Sequence, residues 1–425
     1  MIVRAIKRVL MLAAGLAGFG FLLGGLAGVA LRSIPAAIGN IRREMKTAGV
    51  ELRETRRRGF KRGVRWTVVA LIVGGGGLGL LVWISGIVPI KASSGHWPVT
   101  EWFLNIGKER SVATHSIGIK TPSLNDPDLI LKGAVHYDIG CRSCHGRPGM
   151  KYPRIARSMT PMPPYLPPEL DQWDSAGLFH IVKHGIKFTG MPAWPALERD
   201  DEVWAVVAFL RKLPELDEAA YLDLVDSRNA ESAPMETMGL APATTRTILL
   251  SCARCHGHDG VARGNGAFPN LAGQSREYLE RSLVAYIEGD RHSGIMEPIA
   301  AGLDPMMIKE ISAYYAMQEP EAADIFADDA ELERGREIAR SGIPEKRVPA
   351  CLECHDPGGR KAKDVYPTLS GQPADYLVLQ LELFKKRQRG GTEYAHLMHH
   401  VVDHLEPADM RAAARYFESL PPAKP

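Results

Sequence analysis

Two long apolar runs near the N-terminus dominate the pattern of hydrophobic and polar positions. Residues 9–31 and residues 66–90 contain no charged side chain over 23 and 25 positions. A helix needs about 20 apolar residues to cross a bilayer, so the pattern predicts two transmembrane helices. Glycines recur at four-residue spacing in both runs, which suits close packing of two helices.

Beyond residue 126 the pattern changes to amphipathic helices separated by loops. Residues 126–140 and 200–216 show apolar positions at helical spacing, and the second helix is expected to end before Pro214. Residues 252–279 are echoed by residues 351–377, and a leucine follows both Met296 and Met398 by seven positions. These matches indicate a duplicated module. The pattern thus predicts an all-α fold. The expected divisions are an anchor (1–91), an interfacial linker (92–126) and three helical domains (127–216, 233–320 and 321–425).

Charge gives the expected orientation in the membrane. The loop at residues 32–65 holds eleven Lys and Arg against three acidic residues, which by the positive-inside rule places it in the cytoplasm. The chain after Lys91 is then expected on the outer, periplasmic side of the bacterial inner membrane, in contact with its lipid at the anchor. The whole chain is only +3, so the part after the loop is net acidic. Such a module favours redox protein partners and disfavours nucleic acid.

The cysteines provide the candidate chemistry, because all six fall into three C-x-x-C-H motifs. The residues are Cys141, Cys144 and His145; Cys252, Cys255 and His256; and Cys351, Cys354 and His355. A disulfide framework does not require a histidine after each pair, and a structural zinc site needs four ligands rather than three. The pattern is typical of c-type haem attachment, and it predicts three covalently bound haem c groups.

A haem iron with one histidine ligand needs a sixth ligand or stays open. The candidates are Met191, Met296 and Met398, which lie 46, 40 and 43 residues after the motif histidines. A methionine ligand raises the reduction potential and suits electron transfer. The alternatives are Met159 and Met162 for the first haem, and His396, His399 or His400 in place of Met398 for the third.

Each predicted domain resembles a small class I cytochrome c, with a leading helix, C-x-x-C-H, a methionine-bearing loop and a closing helix. The second and third together resemble the tandem cytochrome c4/c553 type, including the "NLAGQ" segment and an aromatic pair in the last helix. The resemblance, which covers about residues 127–425, implies that the three predicted domains are tandem class I cytochrome c domains. With the two apolar runs, the expected architecture is a transmembrane hairpin followed by these three domains. It also implies that the cysteines anchor haem and that the following histidines are proximal ligands.

The expected function is single-electron transfer between a respiratory donor and an acceptor, without activity of the chain alone. The donor is expected to be a dehydrogenase or a quinol-oxidising complex, and the acceptor a terminal oxidase or a soluble cytochrome. One alternative is a haem enzyme of the peroxidase type with one open iron. Another is a cytochrome subunit of a periplasmic alcohol, sugar or aldehyde dehydrogenase, since trihaem subunits of such enzymes share the haem count. No Walker loop, Rossmann fingerprint or hydrolase elbow is present.

Overall fold

The structure, a computed structural model, describes residues 51–166, 170–225, 243–319, 329–356 and 361–421. Within these ranges the regular elements are helices, accompanied by two isolated bridges and no strand. The predicted all-α fold is therefore confirmed for the described residues. The described residues up to Ile90 and those from Lys91 onward belong to two separate units.

The α-helices are numbered here in chain order. They are α1 (Glu51–Ser85), α2 (Pro98–His115), α3 (Pro127–Gly140), α4 (Arg142–His145), α5 (Ser175–His184), α6 (Asp200–Lys212), α7 (Glu218–Val225), α8 (Ala243–His256), α9 (Arg276–Glu288), α10 (Met296–Ala300), α11 (Pro305–Ala316), α12 (Asp329–Ser341), α13 (Leu352–His355), α14 (Ala374–Lys385), α15 (Ala395–Asp403) and α16 (Pro407–Ser419).

Helix α1 contains the second apolar run of the sequence. Its section Phe60–Ser85 is long and apolar enough to cross a membrane by length and composition, and none of it is buried by the protein. The predicted span at 66–90 was too long at its end, because Gly86 has a φ of 60° and the helix ends at Ser85. The other predicted span, at 9–31, lies outside the described residues.

Helix α2 occupies the segment that the sequence marked as a linker. It exposes Trp102 and Phe103, while Val112 is its buried residue. Val112 lies close to α5, since a Cβ added to Gly177 would come within 3.3 Å of Val112 Cγ1. The linker therefore contributes a helix that packs on the first haem-motif domain, which we call the first module.

Several helices begin at an acidic residue followed by proline. In α3 the Asp126 carboxylate accepts a hydrogen bond from Asp128 N at 3.0 Å, with Pro127 as the first helical residue. In α11 the Asp304 carboxylate accepts from the backbone of Met306 and Met307. Such caps satisfy amide groups that the first turn leaves without a helical partner, and proline there loses nothing.

A close crossing of the leading and closing helices defines the first and third modules. In the first module, a Cβ on Gly133 of α3 would lie 1.9 Å from Ala205 O of α6. In the third, a Cβ on Gly335 of α12 would lie 2.0 Å from Ala412 O of α16. Only glycine permits these backbones to approach so closely, so the crossing fixes where the helix ahead of each motif sits.

The core of the first module continues past residue 216. Tyr221 and Val225 of α7 are 0% and 2% exposed, and they belong to the same apolar cluster as Val203 and Phe209 of α6. In the second module α8 carries the motif at its end and packs with α11 through a cluster that includes Leu249 and Tyr315.

Replacing Gly133 with alanine tests the helix crossing. The added methyl group meets Ala205 O and Phe209 Cβ, at 1.9 and 2.9 Å, so α3 and α6 must move apart. Overpacking of this kind costs about 1–3 kcal/mol, and we expect a lower unfolding midpoint for the Gly133→Ala protein in denaturant. Gly140→Ala on the same helix is the control, because its Cβ comes no closer than 3.5 Å to His136 Nε2. Equal stability of the two variants would contradict the crossing.

Candidate haem-attachment sites

Each C-x-x-C-H motif forms one turn of helix. His145 N donates to Cys141 O at 2.9 Å, and His355 N donates to Cys351 O at 3.0 Å. The second motif is the last turn of α8, which ends at His256. Residues three apart lie on the same side of a helix, so each turn presents two thiols together, with an imidazole directly after them.

Each of the three motif histidines makes the same kind of hydrogen bond, from its ring to a proline carbonyl. The Nδ1 atoms of His145, His256 and His355 lie 2.9, 3.0 and 2.9 Å from the carbonyl oxygens of Pro164, Pro269 and Pro367. A carbonyl oxygen can only accept, so Nδ1 must carry the proton in each ring. Nε2 is then left with its lone pair, which is the form in which imidazole binds a metal.

Burial favours the neutral form of these histidines. Desolvation lowers the pKa of His145, His256 and His355, although the proline carbonyls act in the opposite direction. A neutral ring with a fixed tautomer and a free Nε2 is suited to axial ligation of an iron.

The six cysteines are unpaired thiols. Burial raises the pKa of Cys141, Cys252 and Cys255 to about 12 and that of Cys351 to about 11. Among the described residues, no group of three His, Cys, Asp or Glu side chains is arranged to hold a metal ion. Two thiols and one imidazole are one ligand short of a structural zinc site, so this donor set fits thioether attachment of haem better than a zinc centre.

The residue after the first two motifs is a glycine that the sequence reading did not single out. Gly146 and Gly257 have φ values of 74° and 69°, and their carbonyls accept from Tyr137 Oη at 2.8 Å and Tyr315 Oη at 3.1 Å. The third motif is followed by Asp356 instead. The repeated glycine was the available sequence signal, but its tyrosine partner is set by the tertiary fold.

The methionine candidate of the first module lies beside one of its rivals. Met191 is partly buried, and a Cβ on the preceding Gly190 would meet Met159 Cε at 2.3 Å. Met162, the other rival, is 57% exposed. The structure therefore brings Met159 to the Met191 loop and leaves Met162 in solvent.

The remaining methionine candidates stand at the starts of helices or within them. Met296 is the first residue of α10, and its backbone N donates to Ser293 Oγ at 3.0 Å. Met398 of α15 packs against the same buried cluster as Cys351. Cys351 is the first thiol of the third motif, so this shared contact favours Met398 as the third ligand.

The histidines near Met398 have other partners or face solvent. His399 Nε2 lies 3.0 Å from Arg389 O. His396 and His400 are exposed, and His396 Nδ1 lies 2.8 Å from Glu393 O. Met398, by contrast, packs against the buried cluster that Cys351 also contacts.

The second and third modules are joined by hydrogen bonds next to the prolines whose carbonyls orient the motif histidines. Gln274 donates to Thr368 O at 2.8 Å and accepts from Thr368 N at 3.1 Å. Gln372 donates to Asn270 O at 2.7 Å and accepts from Asn270 N at 3.1 Å. Asn270 and Thr368 directly follow Pro269 and Pro367. Each module thus holds the segment that orients the motif histidine of the other.

Two buried arginines complete this symmetric contact. Arg291 donates to Tyr376 Oη and Arg389 donates to Tyr278 Oη, both at 3.0 Å. Gln380 Oε1 accepts from Arg389 at 2.7 Å and from Arg291 at 3.3 Å. The exchange of equivalent partners between repeats indicates that the two modules are related by an approximate two-fold arrangement.

Comparison with known proteins gives matches to one family profile, to individual proteins and to solved structures. The family profile described as cytochrome c oxidase, cbb3-type, subunit III, matches residues 128–210. A thiosulfate dehydrogenase electron acceptor of Stutzerimonas stutzeri is 32% identical over 203 residues, covering 48% of this chain and 92% of that protein. A cytochrome c4 of Pseudomonas aeruginosa is 31% identical over 170 residues, covering 40% of this chain and 83% of that protein. The structure of reduced cytochrome c4 from Pseudomonas stutzeri matches with 29% identity and a TM-score of 0.38, covering 42% of this chain and 97% of that one.

Proposed function

The chain belongs to the cytochrome c family, and from this premise we propose that it is a membrane-anchored electron carrier with three covalent haem c groups facing the periplasm. The expected resemblance to cytochrome c4 is confirmed by these relatives, and electron transfer by covalently bound haem c is the activity of the family. The proposed count of three haem groups is supported by one observation. In all three C-x-x-C-H motifs, Nδ1 of the histidine is hydrogen-bonded to a proline carbonyl.

The residues of the chain bind and orient the cofactor. Haem c, when bound, supplies reversible one-electron oxidation and reduction. The paired cysteines of each motif would anchor haem through thioether bonds, and Nε2 of His145, His256 and His355 would bind its iron. The thioether sulfurs of Met191, Met296 and Met398 are the proposed second ligands to the iron. Closed coordination of this kind favours electron transfer over chemistry at the iron.

The anchor is proposed from charge and exposed apolar surface. Helix α1 leaves Trp66, Ile72 and Trp83 between 67% and 81% exposed, which suits a lipid environment. The basic segment at 32–65 supports a cytoplasmic position, although its residues 51–65, which were predicted as loop, form the first part of α1. The first apolar run at 9–31 would complete a two-helix hairpin. Trp102 and Phe103 of α2 are also exposed, as expected of a helix near a membrane interface.

The proposed partners are other redox proteins. The relative from Stutzerimonas stutzeri is named as the electron acceptor of thiosulfate dehydrogenase. By analogy, we infer that this chain accepts electrons from a periplasmic dehydrogenase or a quinol-oxidising complex. It would deliver them to a terminal oxidase or a soluble cytochrome.

The number of haem groups is the first test of this proposal. We expect the intact mass of the purified, matured chain to exceed the polypeptide mass by three haem groups. Changing both cysteines of one motif to alanine removes one anchor pair, so each double variant should lose one haem. A fully matured chain with fewer than three covalent haem groups would contradict the count.

The methionine ligands are tested by single replacement with alanine. Methionine bound to ferric haem gives a weak long-wavelength charge-transfer band, so Met191→Ala, Met296→Ala and Met398→Ala should each remove roughly a third of it and lower one reduction potential. Met162→Ala is the matched control, because that side chain is exposed, and it should change neither property. Loss of the band in Met159→Ala, with Met191→Ala unaffected, would reassign the first ligand. Stoichiometric carbon monoxide binding by the unchanged ferrous protein would favour a haem enzyme with an open iron.

The orientation of the anchor is tested by reporter fusions. A reporter that is active only outside the cytoplasm should be active when fused after Lys91, because the haem modules are proposed to face the periplasm. The same reporter fused within residues 45–60 should be inactive, because the positive-inside rule places that loop in the cytoplasm. The opposite pair of results would contradict the hairpin.

A further inference from the structure

One buried carboxylate joins the first two haem-attachment motifs. Asp138 lies in α3, three residues before Cys141, and its side chain is 3% exposed. Its Oδ1 lies 3.2 Å from Nη1 of Arg142, and its Oδ2 lies 2.6 Å from Nη2 of Arg254. Arg142 stands between the cysteines of the first motif, and Arg254 stands between those of the second. Asp138 therefore contacts both C-x-x-C-H turns at once.

A third donor completes the environment of this carboxylate. Tyr221 Oη of α7 donates to Asp138 Oδ1 at 2.7 Å. Arg254 Nη2 also donates to Val225 O at 3.2 Å, in the same helix as Tyr221. A buried carboxylate is costly unless it is paired and hydrogen-bonded. The three donors, two from the first module and one from the second, meet this requirement only when the modules are in contact.

Next to this ion pair, apolar side chains of the first module pack against Cys255, the second cysteine of the second motif. Leu131 and Val135 of α3 form a buried cluster with Cys255, Ala267 and Phe268 of the second module. Cys255 is the second proposed anchor cysteine of that module. The leading helix of the first module thus lies directly against an attachment residue of the second.

A second buried carboxylate joins the methionine-bearing loops of the same two modules. Glu202 of α6 is 2% exposed. It accepts from Trp194 Nε1 at 3.1 Å in its own module, and from Ser293 Oγ and Gly294 N, both at 2.6 Å, in the second. Gly294 packs so tightly on Trp194 that a Cβ there would lie 2.0 Å from the indole Nε1. Met296 follows two residues later.

We propose that Asp138 is a positioning residue for electron exchange between the first two modules. By binding Arg142 and Arg254 together, it keeps the two attachment motifs at one fixed separation, so that electrons pass between them within the chain. The proposal rests on the proposed function, because it requires that both motifs hold haem.

The test uses the backbone amide of Gly294 as a reporter of module docking. That amide donates across the contact to Glu202, not to Asp138, so it exchanges with solvent when the modules separate. We expect Asp138→Asn in the haem-loaded full chain to accelerate hydrogen exchange of the peptide around Gly294 at least about tenfold, which corresponds to about 1.4 kcal/mol. An unchanged exchange rate would overturn the proposal.

Arg254→Gln tests the same ion pair from the second module. It removes the partner in the second module while Asp138 keeps Tyr221 and Arg142, so the first module should remain folded even if Asp138→Asn impairs folding. The double variant should exchange no faster than the faster single variant, because both changes break one contact. If the acceleration in the double variant equals the product of the two single accelerations, Asp138 and Arg254 act independently. That result would show that Asp138 acts only inside the first module and would overturn the proposal.

A matched control separates this effect from general loss of charge. Glu218 forms an exposed ion pair with Arg147 inside the first module, at 3.0 Å, so Glu218→Gln should leave Gly294 exchange unchanged. Acceleration in this control as large as in Asp138→Asn would contradict the special role of Asp138.

Haem content is measured on every protein. A missing haem in the unchanged chain would contradict the proposed function, whereas full haem content with unaltered exchange in Asp138→Asn would contradict only the present proposal.

Discussion

The hydrogen bond between each motif histidine and a proline carbonyl is the constraint on which the haem sites depend. It places the proton on Nδ1 in His145, His256 and His355 and leaves Nε2 as the atom able to bind iron. In the second and third modules the residues after those prolines are clamped by Gln372 and Gln274 of the opposite module. Ligand orientation inside one module is therefore supported by packing against another.

Buried polar contacts help to specify how the modules join. The second module meets the third through paired glutamines and arginines, and it meets the first through Asp138 and Glu202. A buried polar group that loses its partner costs about 1–3 kcal/mol, so each contact disfavours a shifted arrangement. The second module therefore has buried polar contacts with both of its neighbours.

Local pattern was sufficient to predict the motifs and several helices. The apolar spacing at 126–140 and 200–216 anticipated α3 and α6, which end at Gly140 and Lys212, and the three motifs appear directly in the sequence. The crossing at Gly133, the proline partners of the histidines and the Asp138–Arg254 ion pair could not be predicted in this way. They join residues that are distant in the chain, and a single sequence carries no signal of which distant residues meet. The overlong second span had a local cause, the positive φ of Gly86.

We propose that the three modules, each with one haem c, act as one intramolecular electron carrier. It is tested most directly by delivering less than one electron per molecule to the oxidised full chain with a light pulse. The redistribution of that electron among the haem groups is then followed by absorption across a dilution series. The account predicts first-order redistribution with a rate constant independent of protein concentration. A rate that falls in proportion to concentration would contradict it, because electrons would then pass between molecules and not along the chain.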